Sequence, residues 1–75
     1  MSPGIPAFTY RDVVKRLRKL GFVLYRQGKG SHEIWRHPDG RWTTVPHHGG
    51  KTISRRTMKA ILDDIGIDSD EFRAV

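Results

Sequence analysis

The chain has 75 residues, a formal net charge of +6 and no cysteine. A chain of this length forms one small domain that buries only about 60–65% of the surface its unfolded form exposes. Without cysteine there is no disulfide, no thiolate nucleophile and no common structural zinc site, and the chain is too short for a dinucleotide-binding fold. Residues 22–25 form the longest apolar run, and the N-terminus lacks the pattern of a signal peptide. We therefore expect a cytoplasmic protein with no membrane association.

Positive charge is concentrated in the first four-fifths of the chain. Residues 1–62 contain thirteen Lys and Arg residues but only three acids, a net charge of +10. Residues 63–75 contain five acids and Arg73. A positive body of this size favours a polyanionic partner, with nucleic acid the leading candidate. A basic protein with merely solvated charges is the plain alternative, and an acidic membrane surface is favoured less.

The first predicted helix follows an irregular lead-in over residues 1–8, which is rich in Pro and Gly. Thr9 is a good N-cap, and Asp12 lies in the first turn, where an acid meets the positive end of the helix dipole. The helix is predicted to run to Leu20, with Gly21 as its left-handed stop. Its apolar stripe consists of Val13, Val14, Leu17 and Leu20.

Three short strands are predicted next, over Phe22–Gln27, His32–His37 and Arg41–Val45, because β-branched and aromatic residues recur there. A Gly-rich loop over residues 28–31 separates the first two. A Pro-Asp-Gly turn over residues 38–40 separates the last two. The result is an antiparallel meander.

The register of the second hairpin follows from its turn. A three-residue loop pairs His37 with Arg41 and places Trp35 opposite Thr43, facing the helices together with Val45. A two-residue loop would shift every pair by one. On the first register, the opposite face carries His32, Ile34, Trp42 and Thr44.

A second helix is predicted over Ile53–Ile65, with Ser54 as N-cap and Gly66 as stop. Residues 68–75 form an acidic tail, in which one more turn folds Phe72 onto the body. The second apolar stripe consists of Met58, Ile61, Leu62 and Ile65. The predicted fold class is α+β in the order α-β-β-β-α, a single domain over residues 1–75 with two helices on one face of a three-stranded antiparallel sheet.

Four histidines lie between His32 and His48, which makes a metal site the first possibility to test. Neighbouring strand residues point apart and no cysteine completes a ligand set, so a metal is not favoured. The same divergence separates Ser31 from His32 and disfavours a Ser-His-Asp hydrolase. Glu33, Asp39 and the tail acids are scattered and expected mostly on exposed elements, which disfavours a pair of catalytic carboxylates.

Cleavage of RNA needs fewer catalytic groups from the protein, because the ribose 2′-hydroxyl of the substrate is the nucleophile. Histidine can serve as the base or the acid near neutral pH. His32 follows the Gly-rich basic loop. His48 precedes a second Gly-rich basic segment, which leads into a helix N-terminus, and helix N-termini bind phosphates. His32 is the first catalytic candidate and His48 the second. For each histidine the alternative is a surface residue without a role. The predicted phosphate-binding residues are Lys29, Lys51, Arg55, Arg56 and Lys59.

Aromatic residues are interleaved with arginines, a mixture suited to base stacking beside phosphate contacts. A domain with so few large apolar residues needs at least one tryptophan in its core, and Trp35 is the better candidate for that place than Trp42. The aromatic residues are Tyr25, Trp35 and Trp42, and the arginines are Arg26, Arg36 and Arg41.

Several motifs in order resemble the HicA toxin family of bacterial and archaeal toxin–antitoxin modules, over roughly residues 9–67. They are Gly21-Phe22, Arg26-Gln27, Gly30-Ser31-His32 running on to Arg36, and Thr44-Val45-Pro46-x-His48-Gly49. The resemblance implies a fold like the double-stranded-RNA-binding domain and a ribonuclease acting on mRNA. It also implies a catalytic histidine at His32 and a HicB-type antitoxin that covers the toxin. The helix entry over residues 54–59 is similar to a phosphate-contacting signature of double-stranded-RNA-binding domains.

The leading hypothesis is therefore a metal-independent endoribonuclease toxin that needs no cofactor and is monomeric on its own. A non-catalytic RNA-binding module of the same fold is the alternative. A third hypothesis treats the basic surface as a dock for an acidic protein partner.

Overall fold

A computed structural model describes residues 5–47 and 50–75. The predicted α+β class and the order α-β-β-β-α are confirmed, with the predicted extra turn present as a third short helix. No helix among the described residues is both long and apolar enough to cross a membrane. The elements are α1 (Tyr10–Lys19), β1 (Val23–Gln27), β2 (His32–Arg36), β3 (Trp42–Pro46), α2 (Arg55–Ile65) and α3 (Ser69–Ala74).

Helix α1 begins and ends at the residues that the sequence indicates. The Thr9 hydroxyl accepts a hydrogen bond from the Asp12 amide (3.2 Å), and the Asp12 carboxylate accepts one from the Thr9 amide (3.0 Å). This reciprocal cap satisfies two amides that the helix leaves without intrahelical partners. After the helix, Gly21 has a φ of 97°, and a Cβ there would lie 3.0 Å from Nε2 of His37. Glycine is required at this position for both reasons.

The three strands form an antiparallel sheet in the order β1-β2-β3, with β2 in the centre. Trp35 lies opposite Thr43, as predicted. The amide of His37 donates to the carbonyl of Arg41 (2.8 Å), which closes the predicted three-residue turn. Strand β1 pairs with β2 through a local irregularity at Tyr25. The register proposed from the turn is therefore confirmed.

The hydrophobic core lies between the helices and one face of the sheet. Phe72 of α3 is fully buried in it, as the sequence predicts. Phe8 is buried as well, and its carbonyl accepts a hydrogen bond from the Ile53 amide (2.8 Å). Burial of Phe8 and this hydrogen bond join the irregular lead-in to the segment before α2. The composition of the lead-in did not predict this contact. The other buried apolar residues are Val13, Val14, Leu17, Phe22, Trp35, Val45, Ile53, Met58, Ile61, Leu62 and Ile65.

The α1 cap gives a first prediction, in which Asp12→Ala lowers the free energy of unfolding by about 1 kcal/mol. The backbone hydrogen bond from Thr9 is the largest of the causes that lower the pKa of Asp12 from 3.8. Because the folded-state pKa is depressed, this stabilisation is present above pH 3.8 and is lost as the pH falls through the folded-state value. Urea unfolding at several pH values should therefore show wild type and variant converging in acid.

The matched control is Asp63→Ala, because Asp63 is exposed and pairs only with the exposed Lys59 among the described residues. Its loss should change the free energy of unfolding by less than about 0.5 kcal/mol. Equal destabilisation by the two variants, or an Asp12 effect that persists unchanged in acid, would contradict the role of the cap.

Candidate active site

His32 opens strand β2, with its main chain held by the preceding loop. Its amide donates to the Lys29 carbonyl (3.2 Å), and its carbonyl accepts from the Gly28 amide (2.7 Å). Gly30 has a φ of 61°, a left-handed conformation that favours glycine. The His32 side chain is exposed. The tight loop thus holds the backbone of His32 in place while its imidazole faces solvent.

The imidazole of His32 lines a groove between the outer edge of β3 and the start of α2. The groove has a volume of about 430 Å³. At the start of α2 the Ser54 hydroxyl accepts a hydrogen bond from the Thr57 amide (3.2 Å). The positive end of the α2 dipole and the predicted catalytic histidine therefore face the same space. The lining residues are His32, Thr44, Pro46, Thr52, Ile53, Ser54 and Thr57.

Most of the predicted phosphate-binding cations are available to a ligand. Lys29, Lys51, Arg55 and Arg56 are exposed, and none of the four forms an ion pair within residues 5–47 and 50–75. Lys59 is exposed too, but its ammonium lies 3.2 Å from the Asp63 carboxylate. Lys51 and Arg55 flank the lining residues 52–54 in sequence. The segment that lines this side of the groove therefore carries exposed cations.

Of the other histidines, His37 is described by the structure and His48 is not. His37 lies in the turn between β2 and β3, where its Nδ1 is 3.1 Å from the Asp39 amide and its ring packs 5.0 Å from that of Phe22. These contacts support a structural role in the turn. His48, the second catalytic candidate, lies outside the described residues.

Glu33 departs from the expectation that it and the other acids lie mostly on exposed elements. Only 6% of Glu33 is exposed, and its carboxylate accepts hydrogen bonds from the hydroxyl of Tyr10 (2.6 Å) and the indole of Trp35 (3.3 Å). The expectation is wrong for Glu33 because strand alternation places this residue on the same face as the core residue Trp35. A carboxylate is tolerated there because donors satisfy it.

The buried carboxylate also organises Tyr10 and His47. Nδ1 of His47 lies 3.8 Å from Glu33, and the ring of His47 stacks on that of Tyr10 with centroids 3.9 Å apart. The His47 amide donates to the Ser31 carbonyl (2.7 Å). Burial and the hydrogen bond to Glu33 raise the pKa of Tyr10 to about 12, so its phenol remains a donor near neutral pH. The cluster ties α1 and the end of β3 to the strand that carries His32.

Sequence reasoning missed this cluster, although one signal was present. Glu33 lies two residues from a tryptophan assigned to the core, so period-two alternation already directed it inward. Trp35 is 1% exposed, as expected, whereas Trp42 remains 56% exposed. Within the described residues no three His, Asp or Glu side chains lie close enough together to hold a metal ion. The metal independence of the activity stays a prediction.

Fold and site together define a small basic α+β domain with an exposed histidine beside a helix N-terminus. The family model described as HicA toxin of bacterial toxin-antitoxin matches residues 10–67. Because the match covers most of the chain, the protein belongs to the HicA toxin family, and an antitoxin partner follows from that membership. No curated protein matches the chain.

The Glu33 cluster gives a second prediction, tested by Tyr10→Phe. Removal of the hydroxyl leaves the buried carboxylate short of its closest donor, so we expect the free energy of unfolding to fall by about 1–3 kcal/mol. Tyr25→Phe is the matched control, because Tyr25 is 56% exposed and its hydroxyl does not contact the buried Glu33 carboxylate. Equilibrium unfolding in urea measures both. Equal stabilities for the two variants would show that the Glu33 contact contributes little.

Proposed function

We propose that this HicA-family protein is a metal-independent endoribonuclease that cleaves mRNA, with His32 as its catalytic base or acid. One observation supports this function above the others, namely that exposed His32 and the N-terminus of α2 line one groove. A phosphodiester in that groove would meet an imidazole and a positive helix end together. That combination suits transfer of a proton and stabilisation of charge on phosphate.

The reaction uses a nucleophile that the RNA supplies. A base removes the proton of the 2′-hydroxyl, the resulting oxygen attacks the adjacent phosphorus, and the 5′-oxygen of the next nucleotide leaves with a proton from an acid. Imidazole suits either step, because its ordinary pKa of about 6.5 populates both forms near neutral pH. His32 performs one transfer, and we assign His48 as the candidate for the other.

The cations account for binding and for charge stabilisation. Lys29 belongs to the loop that precedes His32, and Lys51, Arg55 and Arg56 surround the start of α2. In the proposal these four hold phosphates on either side of the scissile bond, with Lys59 assisting from the next turn of the helix. The unpaired amides at the start of α2 donate to the phosphate that carries the developing charge.

The antitoxin partner that family membership implies is, in this proposal, a HicB-type protein. The groove and its cations form a basic surface on a chain with a net charge of +6. A partner that presents acidic groups to this surface would be attracted to it and would exclude RNA from His32. Neutralisation then requires only that the groove be covered.

A third prediction tests the catalytic role with His32→Ala. We expect cleavage of single-stranded mRNA fragments to fall by at least about 100-fold, the lower range for loss of a positioned acid or base. Affinity for a 2′-O-methyl RNA, which lacks the nucleophile, should change less than twofold, and induced expression should no longer arrest growth. A chelator should leave wild-type cleavage unchanged.

His37→Ala is the matched control and should retain cleavage, because His37 lies in the turn after β2, at the other end of the strand from His32. Full cleavage by His32→Ala with binding intact would identify a non-catalytic RNA-binding module or a different catalytic group. If a chelator abolished cleavage by the wild type, the activity would require a metal ion, contrary to the proposal.

A fourth prediction concerns the two arginines at the start of α2. Replacement of Arg55 and Arg56 by Ala should weaken RNA binding and reduce the slope of log K against log salt by about 1.4, since each phosphate contact to a single strand contributes about 0.7. Replacement of Lys19 and Arg73 removes the same charge from α1 and α3 and should leave the slope nearly unchanged. Equal slopes for both double variants would place the phosphates elsewhere.

A further inference from the structure

The face of the sheet that turns away from the helices is uncovered in the part of the chain that the structure describes. Directly paired residues of neighbouring strands project to the same face. On β2 and β3 the pairs Ile34–Thr44 and Arg36–Trp42 lie on this side, and β1 adds Arg26 opposite Ile34. We refer to Tyr25, Arg26, Ile34, Arg36 and Trp42 as the open sheet face.

Two aromatic rings dominate the open sheet face. Trp42 and Tyr25 are each 56% exposed, an unusual exposure for residues of their size. The guanidinium of Arg36 lies 4.4 Å from the centroid of the Tyr25 ring. Together with Gly40, the open sheet face lines a shallow depression of about 300 Å³. The depression offers flat π surfaces with cations beside them.

The charge of this surface favours a polyanion over an apolar partner. No carboxylate lines the depression among the described residues, and neither Arg26 nor Arg36 has an ion pair there. Asp39 is the acid of the adjacent turn, and it accepts a hydrogen bond from Nε of Arg41 (2.8 Å). Its charge is therefore largely compensated, which leaves the two arginines of the open sheet face unopposed.

The open sheet face is continuous with the candidate active site. His32 is paired with Pro46 and projects to the same side as Ile34 and Arg36, because alternate residues of a strand share a face. Arg36 lies four positions after His32, which corresponds to about 13 Å along the strand. A chain lying on the open sheet face can therefore reach the imidazole without passing around an edge of the sheet.

We propose that the open sheet face is a binding platform for single-stranded RNA. Trp42 and Tyr25 stack on unpaired bases, Arg26 and Arg36 hold the phosphates, and the next phosphodiester reaches His32. Duplex RNA does not fit this platform, because its bases are stacked within the helix and their faces are not available. The proposed delivery to His32 rests on the ribonuclease proposal, whereas the binding itself does not.

The test measures binding without cleavage, by anisotropy of a labelled single-stranded 2′-O-methyl RNA that cannot supply a nucleophile. Trp42→Ala should weaken its affinity roughly 5- to 140-fold, the range for loss of one stacked base, and Trp42→Phe should restore part of it. Tyr25→Ala should act in the same direction. Binding should also quench the fluorescence of Trp42 in the wild type, since Trp35 is buried.

Leu24→Ala is the matched control, because Leu24 is 47% exposed but pairs with Trp35 on the other face of the sheet. It should bind as the wild type does. Circular dichroism checks that each variant is folded. The binding test does not depend on cleavage, because the probe cannot be cleaved. If the wild type proved to have no ribonuclease activity, the proposed function would be wrong but the binding test would still apply.

Three results would overturn the platform. Wild-type affinity in both Trp42→Ala and Tyr25→Ala would show that no base stacks there. Equal affinity for the duplex form of the probe would show that recognition does not require unpaired bases. Unchanged RNA affinity combined with loss of antitoxin binding, or of self-association in gel filtration, would identify the face as a protein interface.

Discussion

The structure depends on the alternation of side chains along β2. This central strand directs Glu33 and Trp35 into the interior and leaves His32 and Arg36 in solvent on the opposite side. The turn between β2 and β3 sets the register that makes this arrangement possible. A slip of one residue would bury the proposed catalytic histidine and expose the largest core side chain. Fold and site are thus consequences of one pairing pattern.

The buried carboxylate of Glu33 is costly in isolation, and the fold compensates that cost with donors from other elements. Tyr10 supplies a hydroxyl from α1, and Trp35 supplies an indole from the same strand. His47 then stacks on Tyr10 immediately after β3. Such a polar network specifies one arrangement, because any other leaves the carboxylate unsatisfied. It holds together the ends of α1, β2 and β3, and thereby the backbone from which His32 projects.

Local signals predicted much of the fold. Thr9, Gly21 and Ser54 mark helix boundaries that the structure confirms, and the turn residues gave the correct register. Alternation along β2 directs Glu33 inward, but its hydrogen bond with Tyr10 could not be predicted, because that donor is 23 residues away in sequence. The buried position of Phe8 depends likewise on its pairing with the segment before α2.

In the candidate site, too, local features were predicted from the sequence and features that depend on tertiary packing were not. Alternation, in the register set by the turn, placed His32 outside the core, and the charge pattern selected the cations around α2. The groove could not be predicted, because it depends on how α2 is placed against β3. The exposure of Trp42 was favoured by the sequence, but the presence of Arg26 on the same surface as Tyr25 required the irregularity in β1, which pairs Arg26 with Ile34.

The most direct measurement is a proton–nitrogen NMR titration of the protein with single-stranded 2′-O-methyl RNA, in which the two indole N–H resonances report on opposite faces of the sheet. The account predicts that the Trp42 indole and the His32 amide shift together with the amides at the start of α2. The Trp35 indole, which is bonded to Glu33, should remain in place. Shifts confined to α1 and α3, with the Trp42 indole and the His32 amide unchanged, would contradict the account.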